Sequence, residues 1–466
     1  MSTIADVNDD VKSDYDVIVV GGGPGGSTVA GLVAMDGHHV LLLEKETFPR
    51  YQIGESLLPA TVHGVCALLG VRDEIERAGF VRKRGGTFRW GSNREPWTFS
   101  FAASERMAGP TSYAYQVERG QFDTILLDNA KRLGADVRQG HRVVGTVRND
   151  DRVAGVRYVD DRGGEHIARA RFVVDASGHG SRLHRDVDGE REYSPHFRNL
   201  ALFGYFEGGH RMPAPNSGNI LCAAFPDGWF WYIPLSDTLT SVGAVVRHSA
   251  AARVRGDLDA AYAGLIADCP LVAELLADAS RATEPPYDEL RVRKDYSYDR
   301  TALWCPGMVL VGDAACFIDP VFSSGVHLAT YSGLLAARSI NSALAGELPE
   351  ERAFTEFELR YRREFTLFHD FLVAFYETST DEQGYFTAAS KLTGRAGTDP
   401  DAGFVDLVGG VSSTDFSRRL TGEVLAEGAR LQVRGLLGEA AGAEPPLFPG
   451  GLVPSPDGRR WLMPGV

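Results

Sequence analysis

The stretch from Tyr15 to Glu44 constrains this chain more than any other. Tyr15–Val20 (YDVIVV) is a continuous apolar run, as in strands buried on both faces. It leads directly into Gly21-Gly22-Gly23-Pro24-Gly25-Gly26. Ser27–Met35 (STVAGLVAM) then reads as a helix, ended by Gly37, a residue suited to the position just past a helix. Val40–Glu44 (VLLLE) is a second buried strand. Together these make one βαβ unit of a parallel sheet. The glycines stand as G-x-G-x-x-G. Gly21 permits the tight turn, Gly23 lets the backbone approach a pyrophosphate, and Gly26 lets helix and strand pack closely. The pyrophosphate would sit at the helix N-terminus, where unpaired N–H groups and the dipole favour an anion. Glu44 closes the second strand, placed to accept hydrogen bonds from a ribose. A bare glycine pattern is weak, but strand, helix and terminal Glu in register make this a dinucleotide site.

A second glycine turn follows the apolar strand Met308–Val311: Gly312-Asp313-Ala314-Ala315. Alone, Gly-Asp is a common turn. Combined with Gly21–Gly26 far upstream, and with Asp175-Ala176-Ser177-Gly178 after the strand Phe172–Ala176, it points to FAD. Asp313 would reach a ribityl or ribose hydroxyl. The expected fold is α/β, with a glutathione-reductase-like FAD-binding domain assembled from residues 14–80, 113–185 and 285–345. A mixed or antiparallel substrate-binding sheet is expected from 81–112 and 186–284, where residues 195–250 alternate and are rich in aromatics. Residues 346–466 are expected to be mostly helical. Helices are read at Gln121–Leu133, from Ser324 to Ala345, and from Glu350 to Lys391. Short strands are read at Ala135–Val137, Arg142–Val147 and Val153–Tyr158. Residues 1–13 read as a loose tail, and the chain becomes Gly/Pro-rich towards Val466.

Composition narrows the function. Of 466 residues 44% are hydrophobic, which excludes wholesale disorder. With 48 Lys+Arg against 62 Asp+Glu the net charge is −14, so no overall basic field favours nucleic acid. The cysteines (Cys66, Cys222, Cys269, Cys305, Cys316) are odd in number and scattered, with no CxxC, so neither a disulfide framework nor a zinc site is expected. No HxxxH pair suggests a metal, and no G-x-S-x-G marks a nucleophile elbow. The polar, acidic N-terminus is not expected to be a signal peptide, and no apolar run approaches a membrane span. The expected location is the cytoplasm. No second strand–GxGxxG–helix unit is visible for NAD(P)H.

The chain resembles the class A flavin monooxygenase superfamily, and within it the flavin-dependent halogenases, from residue 14 to about 390. The likeness rests on GGGPGGS (21–27), GESLLP (54–59), the W-x-W-x-I-P of Trp229–Pro234, and GDAACFIDPVFSSGV (312–326). W-x-W-x-I-P discriminates, because the superfamily's hydroxylases lack it. The nearest likeness is to bacterial enzymes acting on phenolic, often carrier-bound, substrates. The resemblance implies an FADH2-dependent enzyme that makes hypohalous acid from O2 and chloride and chlorinates a phenolic or tyrosyl ring, free or held on an acyl or peptidyl carrier protein. Its reduced flavin would come from a separate NAD(P)H-dependent reductase. A flavin-dependent aromatic hydroxylase and a prenyl-chain reductase are the alternatives within the superfamily.

The resemblance also assigns residues. Gly21, Gly23, Gly26, Ser27, Glu44, Arg50, Arg119 and Asp313 would bind the cofactor, and Ser324 and Gly325 would hold chloride through backbone amides. Trp229 and Trp231, two apart on a strand and so on one face, would separate flavin from substrate. Lys83 would be the catalytic lysine, upstream of the aromatic Phe88, kept partly neutral by burial or by the cations Arg82 and Arg84. Each assignment has a plainer reading. R-K-R is usually a solvated loop, Ser at a helix start is usually a cap, and Trp at strand spacing is ordinary core. One departure is clear. Tryptophan halogenases carry a glutamate immediately before the halide loop, and here that place is Phe322-Ser323. Asp319 and Glu55 lie in the motifs but are not assigned as its replacement. For carrier docking, Arg360, Arg362 and Arg363, with Arg352, are the densest late basic cluster. A solvated helix face laced with Glu356, Glu358 and Glu364 is the plainer reading of that cluster.

Overall fold

The computed structural model describes residues 14–90, 95–294, 297–377, 389, 392, 400–412 and 446–464. Tyr15–Val20 lies inside a sheet, parallel to Val40–Glu44 on one side and to Glu165–Asp175 on the other. Met308–Leu310 and Asp136–Gln139 extend it, also in parallel. Val20, Asp175 and Leu310 are in register, so the turns after these strands open at the same edge. In such sheets that edge is where ligands bind. Glu165–Asp175 is longer than the expected Phe172–Ala176. Its first half leaves the parallel sheet to pair antiparallel with Arg152–Val159, and so lacks the all-apolar character of a doubly covered strand.

The helix Pro24–Met35 begins three residues before the expected Ser27, with proline at its first position, where the missing N–H costs nothing. It crosses Ser324–Leu344 very closely: a Cβ on Gly25 would lie 3.0 Å from the Ala329 carbonyl oxygen. Arg119–Arg132 packs on its other side, and Glu350–Glu377 lies against Ser324–Leu344. The expected continuation of the last helix to Lys391 falls largely outside the described residues, as does the tail 1–13.

The second sheet runs, in spatial order, Ser280–Arg281, Asn199–Glu207, Leu239–Arg247, Gly228–Pro234, Ile220–Phe225, Gly85–Arg89 and Trp97–Ser100. Pairing is antiparallel except between Ile220–Phe225 and Gly85–Arg89. Strand periodicity divides Gly228–Pro234 cleanly. Trp229, Trp231 and Ile233 face the main core, while Phe230 and Tyr232 face a smaller core under helices Leu258–Ala267 and Pro270–Leu275. No helix among the described residues is long and apolar enough to cross a membrane.

The basic cluster on the last long helix does not form. Arg360 is buried, with its Nε on Glu356 Oε1 at 2.6 Å, a terminal amine on the Leu452 carbonyl at 2.7 Å, and its guanidinium over the Trp461 ring. Of the four arginines only Arg363 is exposed, Arg352 and Arg362 being half-buried. The solvated-face reading fails equally, since Glu356 and Glu364 are buried. The cover has two sources. Residues 446–464 fold back over Arg360 and Glu356, and the helix Ser324–Leu344 covers Glu364, whose carboxylate lies 3.0 Å from His327 Nε2. Helical spacing alone reveals neither.

Candidate functional site

At the shared edge of the parallel sheet, the three signature glycines have different reasons to be glycine. Gly21 adopts φ +103°, and a Cβ there would lie 2.5 Å from the Ala176 carbonyl oxygen. A Cβ on Gly26 would be driven to 1.9 Å from the Gly21 carbonyl oxygen, so this glycine closes the turn as well as packing against Ala176. Gly23 is extended, and the nearest atom a Cβ would meet is an Arg50 amine at 3.5 Å. The protein's own packing therefore does not demand glycine at 23, whereas a pyrophosphate lying on this backbone would. The helix that follows has no side-chain cap and no acid in its first turn, which leaves its positive end to a ligand.

The polar groups around this turn fit FAD. Glu44 is buried. Its Oε2 accepts from Gly22 N at 2.6 Å and its Oε1 from Glu46 N at 2.8 Å, and each oxygen keeps a lone pair for a ribose hydroxyl. Ser27 spends its hydroxyl on the Gly22 carbonyl at 2.9 Å and its N–H on Gly23, so it shapes the turn. The Asp313 carboxylate is enclosed but accepts no hydrogen bond among the described residues. Burial pushes it up to about 6 against the opposing pull of Arg119. A ribityl or ribose hydroxyl would satisfy it. Arg50 and Arg119 converge on a residue that the sequence reading missed. The fully buried Asp123 accepts from Arg50 at 2.7 Å and from Arg119 Nε and a terminal amine at 2.8 and 2.9 Å. The other Arg119 amine donates to the Ile53 carbonyl at 2.6 Å, tying this clamp to the GESLLP segment.

Lys83 closes a short strand, Val81–Lys83, paired with Ala114–Gln116. It is 2% exposed, so it is no part of a solvated loop. Its Nζ donates to the Leu57 carbonyl at 3.1 Å and to Ser323 Oγ at 3.4 Å, and it lies 5.7 Å from the centre of the Phe101 ring. Burial holds the ammonium down at about 7, and no carboxylate is among the groups that influence it. Arg82 and Arg84 are not the cause. Arg82 points outward to Glu76, and neither arginine enters the balance at Lys83. Ser323 sits at φ 59°, in the left-handed region that non-glycine residues rarely enter. It immediately precedes the helix Ser324–Leu344 but does not cap it. Its hydroxyl faces Lys83 instead, leaving the first N–H groups of the helix, including those of Ser324 and Gly325, without a side-chain cap.

An aromatic wall completes the site. Trp229 and Trp231 lie with ring centres 6.3 Å apart on one face of their strand. The Trp229 indole N–H donates to the Tyr376 hydroxyl at 2.6 Å, and Tyr376 donates to Asp319 Oδ1 at 3.1 Å. Asp319 accepts also from Val321 N and so anchors the turn that delivers Ser323. The Trp231 indole donates to Ser241 Oγ at 3.1 Å. Trp90, Phe375, Phe322 and Phe88 continue the wall by ring contact. Three distant motifs (GESLLP, Lys83 and the 312–326 segment) thus meet beside it. The sequence motifs signalled that meeting and placed Ser323 in the loop Ser323-Ser324-Gly325, but not its contact with Lys83, and nothing in local spacing signalled Tyr376.

Comparison with known proteins agrees with this geometry. The tryptophan halogenase family model matches residues 16–109 and 103–412. A tryptophan 2-halogenase from Chondromyces crocatus is 36% identical over 385 residues, covering 82% of this chain and 72% of that protein. A 1H-pyrrole-2-carbonyl-[peptidyl-carrier protein] chlorinase from Pseudomonas fluorescens is 32% identical over 394 residues, covering 78% of this chain and 84% of that one. Among solved structures, the myxobacterial chondrochloren halogenase, described as a new variant of FAD-dependent halogenases, is 51% identical with a TM-score of 0.79. That match covers 97% of this chain and 100% of the other. With glycine turns gathered at one edge of a parallel sheet, a buried lysine against the start of Ser324–Leu344 and a family match over most of its length, this chain belongs to the tryptophan halogenase family and is a flavin-dependent halogenase.

Proposed function

We propose that this enzyme is a two-component, FADH2-dependent chlorinase of an electron-rich aromatic, phenolic or tyrosyl, in natural-product biosynthesis. The observation that carries the reading is the buried Lys83 amine at the start of the uncapped helix Ser324–Leu344. In this account residues 14–80, 113–185 and 285–345 serve the flavin. The sheet of 81–112 and 186–284 serves the substrate, and a separate NAD(P)H-dependent reductase supplies reduced flavin. Bound reduced FAD would supply the electrons that turn dioxygen and chloride into hypochlorous acid.

The chain's own residues do the rest. Gly23 and the helix that follows it hold the pyrophosphate. Arg50 and Arg119, locked by Asp123, fix the cationic side of the crevice, and Asp313 takes a hydroxyl. The backbone N–H groups of Ser324 and Gly325 hold chloride at the positive end of their helix. Trp229 and Trp231 keep the organic substrate away from the flavin. Near neutral pH Lys83 exists in both protonation states. As free amine it exchanges N–H for N–Cl with hypochlorous acid and releases water; as ammonium it donates a hydrogen bond to that oxidant. Transfer of the chlorine to the ring restores the amine in the first case.

A phenolic ring suits a site with Phe322-Ser323 where tryptophan halogenases have a glutamate, because an activated ring needs less assistance. Tethering of the substrate draws support from the relative that chlorinates a carrier-bound pyrrole. The test is turnover of a candidate phenol, as free acid and as carrier thioester, with FADH2, dioxygen and chloride. A chlorine isotope pattern in the product supports the reading. Hydroxylated product, or product independent of halide, rejects it. Equal catalytic efficiency on both substrate forms rejects tethering alone.

A further inference from the structure

Glu55, second residue of GESLLP, is buried. Its backbone is pinned, with Val117 N donating to its carbonyl at 2.7 Å and Ser56 bridging to Gln116. Its Oε1 accepts from the Tyr205 hydroxyl at 2.8 Å, and that hydroxyl lies 2.7 Å from the Tyr51 hydroxyl. Tyr205 has a single proton and gives it to Glu55, so Tyr51 is the donor in the tyrosine pair. Both O–H bonds therefore point inward, from the half-buried Tyr51 to a buried carboxyl. The second oxygen, Oε2, has no partner among the described residues.

We propose that Glu55 is the proton store for halide oxidation, refilled from solvent through Tyr51 and Tyr205. The proposal rests on the reading of the enzyme as a halogenase, through that reaction's stoichiometry. FADH2, O2 and chloride yield FAD, hypochlorous acid and water only if one proton is taken up. Flavin and chloride each give two electrons, and dioxygen accepts four. A buried, water-poor site needs a donor for that proton. In the step proposed, the Glu55 O–H bond breaks and its proton goes to an oxygen derived from dioxygen. The carboxylate then takes the proton of Tyr205, Tyr205 takes that of Tyr51, and Tyr51 takes one from water.

The surroundings suit a store. Burial pushes the Glu55 carboxyl up to about 7, while hydrogen bonding by Ser241 and Tyr205 and the charge of Arg119 pull the other way and Glu118 adds to the rise. Tyr51 faces Arg291 and Arg293, and Tyr205 also touches the Tyr287 ring, whose hydroxyl donates to Glu118 at 2.6 Å. Burial and the Glu55 charge hold the Tyr51 and Tyr205 hydroxyls well above the usual tyrosine range, so both stay neutral and pass protons without storing charge. Ser241, which accepts the Trp231 indole N–H, also pulls Glu55 down, and the charge of Arg119 acts on both Glu55 and Asp313, so the carboxyl neighbours both the aromatic wall and the Asp313 turn.

The test uses full-length, flavin-loaded enzyme. Infrared titration of the oxidised form should lose a protonated-carboxyl band as pH rises through about 7, and Glu55→Gln should delete that band. Reduced enzyme is then mixed with dioxygen, chloride and a pH-indicator dye, without organic substrate. Tyr205→Phe and Tyr51→Phe keep the rings but cut the chain. Proton uptake and flavin oxidation should slow together by on the order of 10²-fold, the scale of a lost positioned acid. Wild-type uptake in Tyr205→Phe or Tyr51→Phe overturns the proposal, and so does wild-type uptake in a folded Glu55→Gln that has lost the band. Should Glu55→Gln not retain flavin, the two tyrosine variants decide alone. Failure of the chlorination reading looks different: without chloride oxidation, FADH2 and dioxygen give FAD and hydrogen peroxide with no net proton uptake in the wild type itself. Failure of the proton store instead leaves wild-type uptake in place and independent of Glu55, Tyr51 and Tyr205.

Discussion

Lys83 Nζ donates to Ser323 Oγ across 3.4 Å, although 240 positions separate the two residues in the chain. The contact explains two local oddities at once. A buried amine would otherwise lack a side-chain partner, and a serine at φ 59° would otherwise be an unexplained strain beside an uncapped helix. Together they set a base that is part neutral near pH 7 against the positive end of a helix, an arrangement suited to an oxidant derived from an anion.

The two glycines of the cofactor turn should respond differently to enlargement. Gly23→Val meets no protein atom closer than the flexible end of Arg50, so the flavin-free protein should melt within a few degrees of wild type. Flavin retention should nevertheless be lost, because the side chain fills the pyrophosphate's place. Gly26→Val drives a Cβ onto the Gly21 carbonyl and should prevent soluble expression. Calorimetry and flavin fluorescence after gel filtration separate the two. Normal flavin content in Gly23→Val would reject the cofactor assignment.

Asp123→Asn should be costly beyond its size. It leaves the guanidinium groups of Arg50 and Arg119 without their shared buried anion, and breaking such a cluster costs about 3–5 kcal/mol. Denaturant unfolding reads the loss of stability, and flavin titration should show weaker binding as both arginines lose their orientation. A variant as stable as wild type would mean that the arginines find other partners.

The fold was legible in the sequence where chemistry is local. The βαβ unit over Tyr15–Glu44 and the alternation of Trp229–Ile233 follow from apolar runs and periods of two, and the strands Tyr15–Val20 and Val40–Glu44 stand at the expected residues. What the chain hides is long-range cover. Arg360 looked like a surface cation because the segment 446–464 that buries it carries no pattern pointing back. Lys83 could be chosen from motif resemblance, but its burial, not its arginine neighbours, sets its acidity, and burial is a property of the assembled core. Asp123 was missed for the same reason: an i,i+4 partner of Arg119 is ordinary, and only the fold brings Arg50 to the same carboxylate.

Stability of the flavin-free protein should carry opposite pH signatures from its buried acids and its buried amine. Glu55 binds its proton more tightly folded than unfolded, so its contribution is present at low pH and is lost as pH rises from about 4.5 to about 7. Lys83 is the reverse. The unfolded chain holds its proton up to about 10.5 and the folded chain only to about 7, so stability is recovered as pH rises through that interval. Glu55→Gln should flatten the melting-temperature profile in the first window and Lys83→Met in the second. Parallel profiles for wild type and Lys83→Met would show that the amine stays charged in the fold.

The central claim, that Lys83 carries the oxidant from the halide loop to the ring, is tested most directly by following flavin oxidation and product chlorination in the same reaction of Lys83→Ala. The account predicts flavin oxidation near the wild-type rate, with the oxidising equivalents released as peroxide or free hypochlorous acid and no chlorine isotope pattern in the product. Chlorinated product formed by Lys83→Ala at a rate comparable to wild type would contradict it.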